Sequence, residues 1–251
     1  MRVSATANVW LRPGPDAAPD RQVLVGDPFE IEETADGWIF GHALKDGYRG
    51  CLLEAATAPE IAPTHWISVR TTWGYAAPDI RSAPVIDLHM SARLEAVGED
   101  GKWLEVRHGG ETVFVPAMQC KAWDERATDV VGAARQFLGV PYVWAGNTGF
   151  GLDCSGLVQV AYHACGLACA ADSGDQKAME GDVPEEVRPG DLIFWKGHVA
   201  IETGEGTLIH ANAHHMSVTE ESRHVAMSRI AATETGSVTA RLRPVRRPLG
   251  G

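Results

Sequence analysis

PYVWAGNTGFGLDCSGLVQVAY, residues 141–162, is the stretch on which the reading of the whole chain turns. Pro141, Gly146, Gly149 and Gly151 break regular structure ahead of Cys154, and Leu157, Val158, Ala161 and Ala164 follow it at helical spacing. A helix is therefore expected to begin near Asp153 or Cys154, with a thiol on its first turn. Backbone N–H groups without helical partners and the positive end of the helix dipole favour thiolate there and draw its pKa towards neutrality. Asp153 acts in the opposite sense. A helical cysteine taken alone is most often core, so the nucleophilic reading needs a base.

GHVAIETGEGTLIHA, residues 197–211, supplies one. His198 opens a strand-like run, His210 closes the next, and the Gly-Glu-Gly turn at 204–206 predicts a hairpin between them. A loop of three or five residues puts both rings on one face, and five makes them directly opposed, about 5 Å apart at Cβ. An even loop would separate them. On one face they have the relation of a base and its orienting partner.

PYVWAG, LDCSGLV, DSGDQ at 172–176, RPGDLIFW at 188–195, HVAI at 198–201 and IHA at 209–211 together resemble the NlpC-type papain-like cysteine peptidases that cut bacterial cell-wall peptides. They occur in that family's order and spacing across most of 124–212. The resemblance implies Cys154 as nucleophile, His198 as base and His210 as the third polar residue. It also implies that Tyr142 lines the pocket beside an oxyanion hole whose backbone donor is the N–H of Cys154.

Composition bounds the alternatives. The 251 residues are 45% apolar, enough for packed cores. No apolar run is long enough to span a membrane, and MRVSATANVWLRPGP has no apolar leader core, so the expectation is a cytoplasmic protein. Five cysteines without framework spacing read as reduced thiols. The formal charge of −11 divides evenly, with 11 basic and 17 acidic residues in 1–123 and 11 and 16 beyond. No basic face is indicated, which argues against nucleic acid and anionic membrane as partners. Arg241, Arg243, Arg246 and Arg247 read as a solvated tail.

The first half carries a degenerate repeat of about 60–65 residues. LVGDPFEIEETADGWIF (24–40) and DLHMSARLEAVGEDGKWLEV (87–106) each contain an apolar strand, an acidic stretch, an Asp-Gly turn and a Trp, Trp38 or Trp103, opening the next strand. Two small all-β barrels resembling bacterial SH3-like domains are expected. The predicted fold is thus multi-domain, with barrels at 1–59 and 60–122 and an α+β papain-like peptidase domain at 123–251. In that last domain TDVVGAARQFLGV (128–140) reads as a helix capped by Thr128 and ended by Gly139. DLIFW, HVAIE, TLIHA and Ala240–Pro244 read as strands.

Other chemistry-bearing residues read as structural. Cys165 and Cys169 lack a second ligand pair, and His214 and His215 do not make a zincin pattern with His198 and His210, so no metal and no cofactor is expected. Trp38, Trp66, Trp73 and Trp103 read as barrel core, although Trp73 is placed in a long loop that could face a cleft.

A carboxylate beside the nucleophile disfavours thiolate, and binding an ammonium group would justify it. In related recycling enzymes the residues matching Asp153, Ser155 and Ser173 hold the free amine of an N-terminal L-Ala, with help from the first SH3-like domain, where Tyr48 and Glu54 are candidates. The resemblance therefore implies a cysteine endopeptidase that cuts the γ-D-glutamyl–diamino acid bond of murein-derived peptides. The alternatives are a secreted or phage-associated hydrolase of intact peptidoglycan and a non-catalytic wall-binding protein. Ala171 stands where the family usually has an arginine, which weakens the D-Glu assignment. Oligomeric state is not written in the sequence.

Overall fold

The structure is a computed structural model that describes residues 1–249. Two compact units divide it: Met1–Arg126 together with Asn147–Gly149, and Ala127–Gly146 together with Phe150–Leu249.

The first unit is built twice over. One five-stranded sheet runs in the order Arg49–Leu53, Trp38–Ala43, Pro28–Ala35, Arg2–Ala5, Thr57–Pro59, with Val9–Leu11 and Arg21–Val23 paired beside it. The second sheet runs Glu111–Pro116, Trp103–His108, Arg93–Asp100, His65–Ile67, Cys120–Ala122 in the same sense, and extends through Thr71–Tyr75 to Pro84–His89. The correspondence reaches single residues. Pro28–Ala35 and Arg93–Asp100 are both eight residues long, and each has its bulge four residues in, between Ile31 and Glu33 and between Ala96 and Gly98. A short 3-10 turn leads into the last strand of each, at Glu54–Ala56 and Ala117–Gln119. Each sheet encloses its own core, one around Leu11, Phe29, Ile39 and Leu52, the other around Ile67, Leu88, Leu104 and Val115.

Between the two sheets sits a buried charge cluster. Asp27 accepts from Lys45 Nζ and from the backbone N–H of Leu24 (2.8 Å), and Arg93 Nε lies 3.7 Å from its other oxygen. All three side chains are 4% exposed or less, a burial tolerable only because each charge is paired. Residues Asn147–Gly149 of this unit are held by Gln22 Oε1, which accepts from Asn147 N (3.0 Å), and by His89 Nδ1, which accepts from Gly149 N (3.1 Å). Trp73 lies on the Thr71–Tyr75 strand, not in a loop, because that strand pairs along its length with Pro84–His89.

The second unit wraps helices around a six-stranded antiparallel sheet ordered Gly181–Asp182, Ala240–Pro244, Leu192–Trp195, His198–Gly204, Thr207–Asn212, Ser217–Ser222. Helix α1 covers Val130–Arg135, α2 Cys154–Ala164, α3 Ser173–Lys177 and α4 Arg223–Ala231. Every residue of α2 is buried, Gln159 and His163 included, and it packs on α1 and on the strands His198–Gly204 and Thr207–Asn212. Ala226 and Ile230 of α4 join Ile193, Trp195, Ala200 and Leu208 in a second cluster. Helix α1 is shorter than its periodicity suggests. Asp129, not Thr128, caps it by accepting from Val131 N, and the chain from Gln136 to Gly139 continues as tightening turns.

Gly26 marks where the two sheets of the first unit meet. Its φ is +79°, and a Cβ built there would lie 2.1 Å from the carbonyl oxygen of Arg93. Left-handed strain and overpacking together predict that Gly26→Ala destabilises the protein by roughly 2–4 kcal/mol. Thermal unfolding checks this, and an unchanged midpoint would contradict the close approach.

Candidate active site

Asp153 builds the site. It is the N-cap of α2, with Oδ1 accepting from Gly156 N (2.7 Å) and from the Ser155 hydroxyl (2.9 Å). Oδ2 accepts from Ala145 N (2.9 Å), which ties the glycine-rich loop to the helix start. Ala145 sits at φ +63°, a left-handed position that this hydrogen bond helps to hold. Cys154, the first residue of α2, is 7% exposed, and its sulfur is approached by the backbone N–H groups of Val199, Ser155 and its own residue. Val199 follows His198, so the nucleophile candidate lies at the start of the strand that carries the base candidate.

The two histidines meet by a route the hairpin loop alone does not give. The connection between Gly204 and Thr207 is a two-residue turn, Glu205 and Gly206, at φ +52° and +79°. Such an even loop would put the rings on opposite faces. A bulge between Glu202 and Gly204 restores the parity, so Ile201 pairs with Ile209 and His210 stands diagonal to His198 on one face. His198 Nε2 and His210 Nδ1 are 2.8 Å apart. The Trp195 indole, directly across the ladder from His198, has its ring centroid 5.6 Å from the imidazole.

Behind the pair stand two residues that the sequence reading did not single out. His210 Nε2 lies 2.8 Å from Glu221 Oε1, and Arg229 of α4 forms an ion pair with that same oxygen. The ladder pairs His210 with Thr219, so Glu221 is its diagonal neighbour. An acidic residue two past the cross-strand partner of a buried histidine was the only available signal, and it depends on a register that the sequence does not reveal.

The remaining candidates fall into place around α2. Tyr142 is bridged to Leu152, and its N–H donates to Met216 O. Ser155 is buried. Ser173 opens α3, whose Gln176 donates from Nε2 to the carbonyl of Ser155 (2.9 Å) and to that of Ala170 (3.0 Å), joining α3 to the start of α2. Ala171 is buried. In the first unit, Tyr48 packs against the first core and Glu54 is exposed at the start of a 3-10 turn. His215 is held by Asn212, its N–H and Nδ1 both close to Oδ1. No cluster of three or more His, Cys, Asp or Glu suited to a metal occurs among the described residues.

Burial dominates the electrostatics. It pushes the Cys154 thiol up to about 12, Asp153 adds to the rise, and the three backbone N–H groups only partly offset it. The direction is opposite to the one expected from the helix terminus, with burial the first cause and Asp153 the second. Burial also lowers His198 to about 3, with His210 and Arg229 acting in the same sense and Glu221 against them. His210 is lowered by burial and by Arg229. Tyr142 is raised by burial and by the charges of Cys154 and Asp153. Both shifts favour the uncharged forms, a neutral thiol and a neutral imidazole, before substrate binds.

Comparison with known proteins gives this arrangement a context. The model of the NlpC/P60 family matches residues 139–234, which contain Cys154, His198, His210 and Glu221. The chain belongs to the NlpC/P60 family. A model described as the bacterial dipeptidyl-peptidase Sh3 domain matches residues 11–56. A γ-D-glutamyl-L-lysine dipeptidyl-peptidase of Bacillus cereus is 42% identical over 94 residues, 34% of this chain and 28% of its own length, so the match spans under a third of that relative. Dipeptidyl-peptidase 6 of Lysinibacillus sphaericus is 28% identical over 236 residues, 84% of this chain and 86% of its own. The crystal structure of an NlpC/P60 family protein from Bacillus cereus superposes with a TM-score of 0.79 over 100% of both chains at 20% identity, a likeness of fold. An SH3-like domain and a papain-like NlpC/P60 domain thus share one multi-domain chain.

The charge of Asp153 acts on the thiol independently of any substrate. Asp153→Asn keeps an oxygen able to cap α2 but removes the charge and the acceptor for Ala145 N, so the thiol pKa falls and alkylation of Cys154 by iodoacetamide at fixed pH quickens on the order of tenfold. An unchanged or slower rate would show that burial alone sets the thiol.

Proposed function

We propose that the chain is a cysteine endopeptidase that hydrolyses the γ-D-glutamyl–diamino acid bond of murein-derived peptides with a free N-terminal L-Ala. The observation that carries this reading is the buried Cys154 at the start of α2, beside the strand whose first residue, His198, is hydrogen-bonded to His210. The name of the 42%-identical relative supports the bond class.

In the reaction, His198 takes the thiol proton as sulfur attacks the γ-carbonyl, and the N–H of Cys154 faces the developing oxyanion. The tetrahedral intermediate collapses to a thioester as His198 returns the proton to the departing amine. Water activated by the same ring then releases the acyl dipeptide and restores the thiol. A resting neutral pair suits this sequence, since proton transfer and attack are coupled on a bound substrate.

Asp153, with Ser155 and Ser173, would hold the substrate ammonium, and Tyr142 would wall the pocket. An ammonium there would offset the charge that raises the thiol pKa, so substrate binding itself would ready the nucleophile. We infer further that the second sheet of the first unit is a second SH3-like barrel, supported by its matching strand order and bulge. The domains then run 1–59, 60–122 and 123–251. Turnover would take place in the cytoplasm.

Purified protein incubated with L-Ala-γ-D-Glu-meso-diaminopimelate, its L-Lys counterpart and their N-acetylated forms tests the reading by mass spectrometry. Cleavage of the free-amine peptides alone is expected, abolished by Cys154→Ala and strongly reduced by Asp153→Asn. Equal cleavage of acetylated peptide would move the substrate to intact wall, and cleavage of neither would point to another acyl group, as Ala171 suggests.

A further inference from the structure

The hydrogen-bond chain His198–His210–Glu221–Arg229 contains a direction as well as a set of distances. An ionised carboxylate only accepts hydrogen bonds, so at the 2.8 Å contact His210 Nε2 is the donor. A neutral imidazole has one N–H, which leaves His210 Nδ1 as an acceptor. The 2.8 Å contact to His198 Nε2 then requires that His198 donate from Nε2. Only Nδ1 of His198 remains able to take a proton. Without Glu221, the reverse arrangement satisfies the His198–His210 contact equally well and leaves His198 Nδ1 protonated and useless as a base.

We propose that Glu221, held in place by Arg229, is the positioning residue that fixes the tautomer of both histidines and, with Arg229, sets the pH range in which the site works. This rests on the peptidase reading above. His210 is 0% exposed, so no water competes with Glu221 for its Nε2. Charged or titratable neighbours come from four elements: Glu221 from the outer strand, Arg229 from α4, His215 from the loop at 4.0 Å from Glu221 Oε1, and Cys154 from α2, whose sulfur meets the N–H of Val199 next to His198. Of these, Glu221 and Arg229 are the permanent charges behind the histidines, and they oppose one another: Glu221 favours protonation of His198 and Arg229 disfavours it. Removing a negative charge lowers every nearby pKa and removing a positive one raises it, whichever group a limb of the pH profile reports.

The kcat/KM–pH profile of Glu221→Gln and Arg229→Met, measured on the full chain with the free-amine tripeptide, separates this role from packing. Loss of packing would lower activity in both variants without moving the profile. The proposal expects the Glu221→Gln profile to move to lower pH and the Arg229→Met profile to higher pH, each by about one unit. A third variant, Glu221→Leu, removes the acceptor as well as the charge. It is expected to lose about twofold or more in kcat with little change in KM, and 15N imidazole spectra should show the proton of His198 divided between Nε2 and Nδ1 instead of held on Nε2. Profiles that stay in place or move the same way, or an unchanged His198 tautomer in Glu221→Leu, would overturn it. Turnover surviving in Cys154→Ala would instead reject the peptidase reading itself, so the two failures are distinguishable.

Discussion

The buried carboxylate of Asp153 is the constraint on which the catalytic half of the chain depends. A helix N-terminus leaves backbone donors without partners, and a glycine-rich loop has too little side-chain packing to hold a position by itself. Asp153 answers both needs, taking Gly156 N and the Ser155 hydroxyl on one oxygen and Ala145 N on the other. The loop is thereby fastened to the first turn of α2, and Cys154 is delivered to the strand that begins at His198. Gln176 adds a second brace from α3 to the carbonyl of Ser155.

That solution has a chemical consequence. The carboxylate that orders the loop lies next to the sulfur it positions, and the same burial that packs α2 withdraws water from the thiol. Both effects keep sulfur protonated, and burial keeps the imidazoles neutral. A thiolate–imidazolium pair is the arrangement that burial most disfavours without compensation. A change in the local charge would shift that balance. A cationic substrate group beside Asp153 would do so at the moment when attack is wanted, and a peroxide or other oxidant would find little thiolate to react with in the meantime.

The parts legible in the sequence are those set by local chemistry. The start of α2 could be read because three glycines and a proline precede an apolar period, and the strands at 192–195, 198–204 and 207–212 because their apolar alternation is short and bounded by turns. The duplication showed through its Asp-Gly turns and through Trp38 and Trp103. What could not be read depends on register or tertiary placement. The bulge between Glu202 and Gly204 changes the parity of the hairpin, and no residue type announces it, since Thr203 suits a regular strand equally well. Glu221 and Arg229 matter only once Ser217–Ser222 pairs with Thr207–Asn212 and α4 folds back. Thr128 and Asp129 are both good caps, and the choice between them rests on a single backbone geometry. The thiol was misjudged because the dipole of a helix start is visible in sequence, whereas the depth of its burial is not.

Bulges do different work in the two halves of the molecule. In the first unit they sit at equivalent places, in the fourth step of an eight-residue strand, although the flanking side chains differ: Ile31 and Glu33 in one sheet, Ala96 and Gly98 in the other. The hairpin turns beyond them differ too. Asp36 and Gly37 are both at positive φ, whereas in the other turn Gly101 is at positive φ and Lys102 is not. A feature that persists while both its residues and the adjoining turn change is held by geometry: an eight-residue strand that must curl around a small core needs added twist near its middle, and an extra residue there supplies it. In the second unit the bulge shapes no barrel. It shifts the ladder by one residue, and that shift turns His210 from the far face of the sheet to the one His198 occupies.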